Sequence, residues 1–308
     1  MKLLLLCFIC LDLLRNLYVL AYPQRVWPDR YSARKRILHN LLPFPPNCGA
    51  DSTSDKIYNG NDTAIDEFSW MVILVYVDPR GNRHFDCGGS LINNLYVLTA
   101  AHCVIETEER RLVNVRVGEY DMSKPIDCVR GVCNPAIVEV QVKESILHPQ
   151  YDDDNENLHH DIALLRLNQS IELNQYVQPV CLPITKASPP ILPGEFLVVS
   201  GWGCTLQNQP SNIKQRLSVG ANDHQTCVER FASAGNTLIP SQICAGGEFL
   251  HDSCKGDSGG PLMRQGYQGV WYQEGVVSFG KGCGLRGWPG IYTRVAHYTN
   301  WIQDTIRP

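Results

Sequence analysis

An all-β fold is what this sequence predicts, and three observations carry the prediction. From Ile57 onward, β-branched or alternating runs recur at Met71–Val77, Val113–Val117, Ile137–Val142 and Phe196–Ser200. Gly, Pro and Asn separate these runs, as turns between short strands require. The one good helical pattern is last: from Val295, apolar Tyr298, Ile302 and Ile306 recur at helical spacing before Pro308. No internal repeat is visible, and 308 residues can bury a substantial core. A net charge of −4 gives no case for a nucleic-acid partner. Thirteen cysteines without a tandem C-x-x-C indicate an oxidising compartment and disulfides rather than zinc.

Taken in order, the chain opens on Met1–Ala21, where Lys2 precedes the apolar run Leu3–Leu11 and Val19-Leu-Ala21 offers a cleavage site. Asp12 and Arg15 interrupt the run, which is too short and too polar to span a bilayer. Residues 1–21 therefore read as a removed signal peptide, taking Cys7 and Cys10 with it, of a secreted, extracellular protein with no membrane partner. Residues 22–56 differ: Pro23, Pro28, Pro43, Pro45 and Pro46, a mildly basic balance and no periodicity make an extended pro-segment that buries little apolar surface. Residues 57–308 form the remaining domain.

Chemistry concentrates in Asp252-Ser-Cys-Lys-Gly-Asp-Ser-Gly-Gly-Pro261. Its glycines let the backbone approach a bound group closely. The N–H groups of Gly256 and Ser258 then converge on one developing oxyanion. A Gly-Ser-Pro turn beside a disulfide explains five such residues, but not ten in this order. The G-x-S-x-G pattern also fits an α/β-hydrolase elbow, which needs an acid and then a histidine downstream. Here only His297 follows Ser258, in the terminal helical pattern. Upstream stand Thr99-Ala-Ala-His-Cys103 and Asp161-Ile-Ala-Leu164, giving the order His102, Asp161, Ser258.

With that order the sequence resembles the trypsin/chymotrypsin family of serine endopeptidases, from about Ile57 to Trp301. The resemblance implies a double six-stranded antiparallel β-barrel with a C-terminal helix. It implies that Ser258 is the nucleophile, His102 its base and Asp161 the orienter of that base. Asp252, six residues before Ser258, falls at the floor of the primary specificity pocket, where an aspartate selects Arg or Lys. Gly280 and Gly290 match its walls, and Ser278-Phe-Gly280 supplies backbone to an extended substrate. Lys56-Ile57 resembles the activation site, where a cut frees an ammonium that pairs with Asp257 and shapes the oxyanion hole. His159 and His160 read as the rim of the cleft.

By the same resemblance Cys87 pairs with Cys103, Cys254 with Cys283, Cys227 with Cys244 and Cys48 with Cys181, the last tethering the pro-segment. Cys128 and Cys133 sit in a loop insertion and pair locally, which leaves Cys204 over. No cofactor is needed for the chemistry, though Glu119 and Asp121 offer oxygen ligands for a structural Ca2+. Asn61-Asp-Thr63 and Asn168-Gln-Ser170 are glycosylation sequons. Asn47-Cys-Gly49, Gly118-Glu-Tyr-Asp121 and Trp288-Pro-Gly290 look like the catalytic domains of arthropod clip-domain proteases, which act in extracellular immune cascades. The segment before Lys56 has too few cysteines for a clip domain. Partners implied are protein substrates such as downstream zymogens, an upstream trypsin-like activator and serpin-type inhibitors. A digestive trypsin is the alternative role, and a non-catalytic homologue acting as a binding cofactor is the alternative class.

Overall fold

A computed structural model describes residues 41–51, 62–184, 189–204, 209–248, 256–282 and 284–308. The run Met71–Val77 forms β1, buried along six of its seven residues, so it carries apolar side chains on both faces and shows no alternation. It is followed by β2 (Arg83–His84), β3 (Gly88–Asn93), β4 (Tyr96–Thr99) and β5 (Arg111–Val117). Next come a two-stranded hairpin, β6 (Cys128–Val129) and β7 (Val132–Cys133), then β8 (Val138–Leu147) and β9 (Ala163–Leu167). The antiparallel row β1-β3-β4-β9-β8-β5 returns on itself because β1 also pairs β5, closing a six-stranded barrel with β2 attached outside β1. Closure removes the exposed sheet edge.

The second barrel contains β10 (Phe196–Gly201), β11 (Gln215–Gly220), β12 (Gln242–Ala245), β13 (Pro261–Gln265), β14 (Trp271–Phe279) and β15 (Gly290–Arg294). Its order is β11-β10-β13-β14-β15-β12, and a single bridge, Ala221 to Ala245, joins the two ends. Alternation decides what each strand faces. Leu197, Val199, Leu262 and Val277 fill the interior of this barrel, whereas Val198, Met263 and Val276 point the other way into a core shared with Trp70 and Val72. The barrels are therefore joined by apolar packing, and residues at their seam are held from both sides.

Two α-helices occur among the described residues. Helix α1 (His224–Ala232) starts at Asp223, whose carboxylate accepts the Thr226 N–H at 2.9 Å, and buries Cys227 and Phe231. Helix α2 (Val295–Thr305) buries Val295, Tyr298 and Ile302 against the shared core, and Ile306 continues that contact beyond the helix end. Residues 41–51, the described part of the expected pro-segment, bury more than that reading implies. Leu42 and Cys48 are buried, Cys48 is bonded to Cys181, and Gly49 donates to Pro179 and accepts from the Trp271 N–H, each at 2.9 Å. A disulfide and paired backbone groups bury a segment that composition alone assigns to solvent.

Candidate active site

Strand β4 delivers the base. After Thr99 the buried Ala100 and Ala101 leave room for a tight 3-10 turn, Ala101–Cys103, which carries His102 at the seam, and Cys103 is bonded to Cys87. Asp161 lies just before β9, its side chain fully buried, while that of His102 is 23% exposed. One Asp161 oxygen accepts the His102 backbone N–H at 2.9 Å; the other lies 2.8 Å from His102 Nδ1. That second oxygen also accepts the Ser278 hydroxyl at 2.6 Å, and Thr293 Oγ1 donates to the Asp161 carbonyl at 2.7 Å. Burial alone lowers the His102 pKa, but the Asp161 charge and hydrogen bond outweigh it and raise the imidazole above its ordinary value.

Ser258 is placed by backbone shape. Gly256 has φ +97°, and a β-carbon there would lie 2.9 Å from Gly203 Cα. Gly259 has φ +77°, and a β-carbon there would lie 2.2 Å from Thr99 Oγ1 and 2.5 Å from the Gly88 carbonyl. Both positions exclude side chains by conformation and by space. Gly259 thus presses on the start of the His102 turn, bringing Ser258 to the same seam. The turn is stitched on both sides: Gly259 donates to Val277 at 2.9 Å, and the Ser258 carbonyl accepts the Gly88 N–H at 2.8 Å. Asp257 packs against Gly201 and Gly203 and accepts the Gly203 N–H at 3.0 Å. A β-carbon on Gly280 would lie 4.0 Å from Gly290 Cα, so the two expected pocket-wall glycines stand against each other.

Lys56, Ile57, Asn61, Asp252, Cys254 and Cys283 lie outside the described residues. The four other expected sulfur pairs, Cys48–Cys181, Cys87–Cys103, Cys128–Cys133 and Cys227–Cys244, are present, and Cys204 is a free thiol. Asn168 is exposed at the end of β9.

Glu119 and Asp121 are each paired with a cation of this chain. Glu119 pairs with Arg116 at 2.9 Å, and Asp121 with Lys124 at 2.6 Å. Burial opposes the Asp121 charge, yet Lys124 and Ser123 hold its carboxyl below the usual value; burial and Asp127 push Glu119 above it. His160 is partly buried: its Nδ1 lies 2.9 Å from the Tyr298 hydroxyl and its ring stacks on His148, centroids 5.3 Å apart. His159 Nε2 lies 2.7 Å from the Thr237 carbonyl. The support that the Ser278 hydroxyl gives Asp161 is not foreseen from sequence, where Ser278 figures only as backbone. Its signal is weak, a buried serine among apolar residues of β14.

A closed barrel and a second six-stranded barrel, with an acid–imidazole pair and a glycine-flanked serine at their seam, define a chymotrypsin-like serine hydrolase. The trypsin family profile matches residues 57–302, and the chain belongs to that family and is a serine endopeptidase. It is 60% identical over 274 residues to Serine protease 7 of Drosophila melanogaster, covering 88% of this chain and 70% of the relative. To Phenoloxidase-activating enzyme 1 of Spodoptera litura it is 45% identical over 268 residues, covering 86% and 71%. The crystal structure of the Drosophila Grass clip serine protease of the Toll pathway superposes with a TM-score of 0.76 at 34% identity, covering 87% of this chain and 77% of that one.

Proposed function

We propose that this is a secreted, trypsin-like endopeptidase of the clip-protease type, made as a zymogen, cut after Lys56 and acting after Arg or Lys in an extracellular immune cascade. The observation that carries the reading is the Asp161 carboxylate, shared at 2.8 Å and 2.6 Å by His102 and Ser278 and closed to solvent. Such a buried anion holds the imidazole in one tautomer, proton on Nδ1, with Nε2 ready to take the Ser258 proton. Ser258 Oγ attacks the peptide carbonyl, and the Gly256 and Ser258 amides receive the oxyanion. His102 then returns its proton to the leaving amine. Water, activated by the same imidazole, releases the acyl group and restores Ser258.

Arg/Lys selectivity rests on Asp252, and zymogen control on a new Ile57 ammonium meeting Asp257. Secretion rests on residues 1–21, and no described helix is long and apolar enough to cross a membrane. The immune role draws on the relatives' names and on the Cys48–Cys181 tether, which keeps a cut pro-segment attached. Domain limits of 1–21, 22–56 and 57–308 belong to this proposal, as do glycans on Asn61 and Asn168. N-terminal sequencing of the active enzyme, with peptide-library profiling, tests it. Two chains held until reduction, one beginning at Ile57, and cleavage after basic residues are expected; an active form with another start overturns the activation step.

A further inference from the structure

The turn that carries His102 is held on two sides, and the triad accounts for one of them. Asp161 grips the imidazole and the His102 backbone N–H. On the other side Tyr76, buried near the end of β1, donates its hydroxyl to the Cys103 carbonyl at 2.7 Å. The β1–β5 pairing shifts register between Val75 and Tyr76, and such a bulge re-aims a side chain. Over the Tyr76 ring lies the Arg110 guanidinium, 4.7 Å from the ring centre. Arg110 in turn pairs with Asp86 at 2.6 Å, and Asp86 directly precedes Cys87, the disulfide partner of Cys103. These contacts close a ring, from Tyr76 to Cys103, Cys87, Asp86, Arg110 and back to Tyr76.

We propose that Arg110 is a positioning residue for the reaction: by capping the Tyr76 ring it keeps the hydroxyl on Cys103 and so fixes the turn that presents His102. The inference rests on the reading of His102 as the base. Burial raises the Tyr76 phenol pKa, so the group remains a hydrogen-bond donor wherever the enzyme works. A guanidinium over a tyrosine face is attracted by the ring, and its flat shape covers that face better than an ammonium would. Arg110 also acts by its charge. Burial lowers the His102 pKa and Asp161 raises it; of the weaker influences, Arg110 lowers it and Asp153 raises it. Asp86, beside Arg110, offsets part of that cation. The residue therefore both steadies the base and opposes its protonation.

The test measures kcat, KM and the pH profile of kcat/KM for active enzyme on a peptide that it cuts. Arg110→Gln should lower kcat about two- to tenfold with KM unchanged, the range for one net hydrogen bond. Its acid midpoint should rise by roughly 0.3 pH unit, because a cation that disfavoured the imidazolium is gone, and high salt should shrink that shift. Arg110→Lys keeps the charge and should leave the midpoint with the wild type. Tyr76→Phe, which removes only the hydroxyl, should reproduce the loss in kcat. A merely structural cap would alter stability and leave the midpoint in place. An Arg110→Gln midpoint equal to the wild type, a loss confined to KM, or wild-type kcat in Tyr76→Phe overturns the inference. Full activity in His102→Ala would instead overturn the assignment of the base.

Discussion

The two halves of the site are held by opposite means. His102 and Asp161 are fixed by side-chain hydrogen bonds in a buried, low-dielectric place, with the hydroxyl of Ser278 reaching across from the second barrel. Ser258 is fixed by what its neighbours lack: β-carbons on Gly256 and Gly259 would strike Gly203, Thr99 and Gly88. One half is therefore vulnerable to a change of charge with no change of shape. The other is vulnerable to the smallest change of shape with no change of charge.

The largest effect separates charge from shape. Asp161→Asn, nearly isosteric, should lower kcat by about four decades, as expected when the orienting acid can no longer hold the tautomer. The same variant reports on pH. Only neutral His102 acts as a base, and Asp161 raises its pKa. Wild-type kcat/KM should thus fall, as pH falls, through an ionisation above the ordinary histidine value of about 6.5. In Asp161→Asn that midpoint should move down; an unmoved midpoint would detach the ionisation from this pair. Gly259→Ala probes the other half. A left-handed alanine costs about 1–3 kcal/mol before its contact with Thr99 is counted. Denaturant unfolding in a Ser258→Ala background, which prevents autolysis, should show a loss of that size or more; unchanged stability contradicts the packing. Smallest is Ser278→Ala, which removes one hydrogen bond to a charged group. About tenfold in kcat/KM is expected, read on a peptide substrate, and no change would make that contact incidental.

Sequence reading fared differently in the two halves, for a physical reason. A steric demand for glycine is local, so Gly256 and Gly259 flanking Ser258 announce the turn within a few residues. A hydrogen bond between Ser278 and Asp161 spans 117 residues and leaves no local pattern. Strand runs were legible because burial on one or two faces sets their period, and β1 and β10 lie where that period places them. Other pairings are not encoded in composition. The ion pairs of Glu119 with Arg116 and of Asp121 with Lys124 are formed only by the folded loop. Likewise, no local pattern announces that the His160 ring stacks on His148.

The backbone at His160 restricts which sequences can carry this site. The residue directly before the triad acid has φ +59°, and its carbonyl accepts the Ile162 N–H at 2.8 Å, closing a turn around Asp161. Left-handed geometry admits Gly, Asn, Asp and His far more readily than β-branched or bulky residues. In codon terms, histidine exchanges with asparagine or aspartate by a change at the first base alone, whereas glycine is more distant. Drift at this position is therefore confined to a small connected set of polar residues, each compatible with the turn. A polar partner for the Tyr298 hydroxyl is kept throughout that set, so the stacked histidine can be lost without unseating the acid beside it.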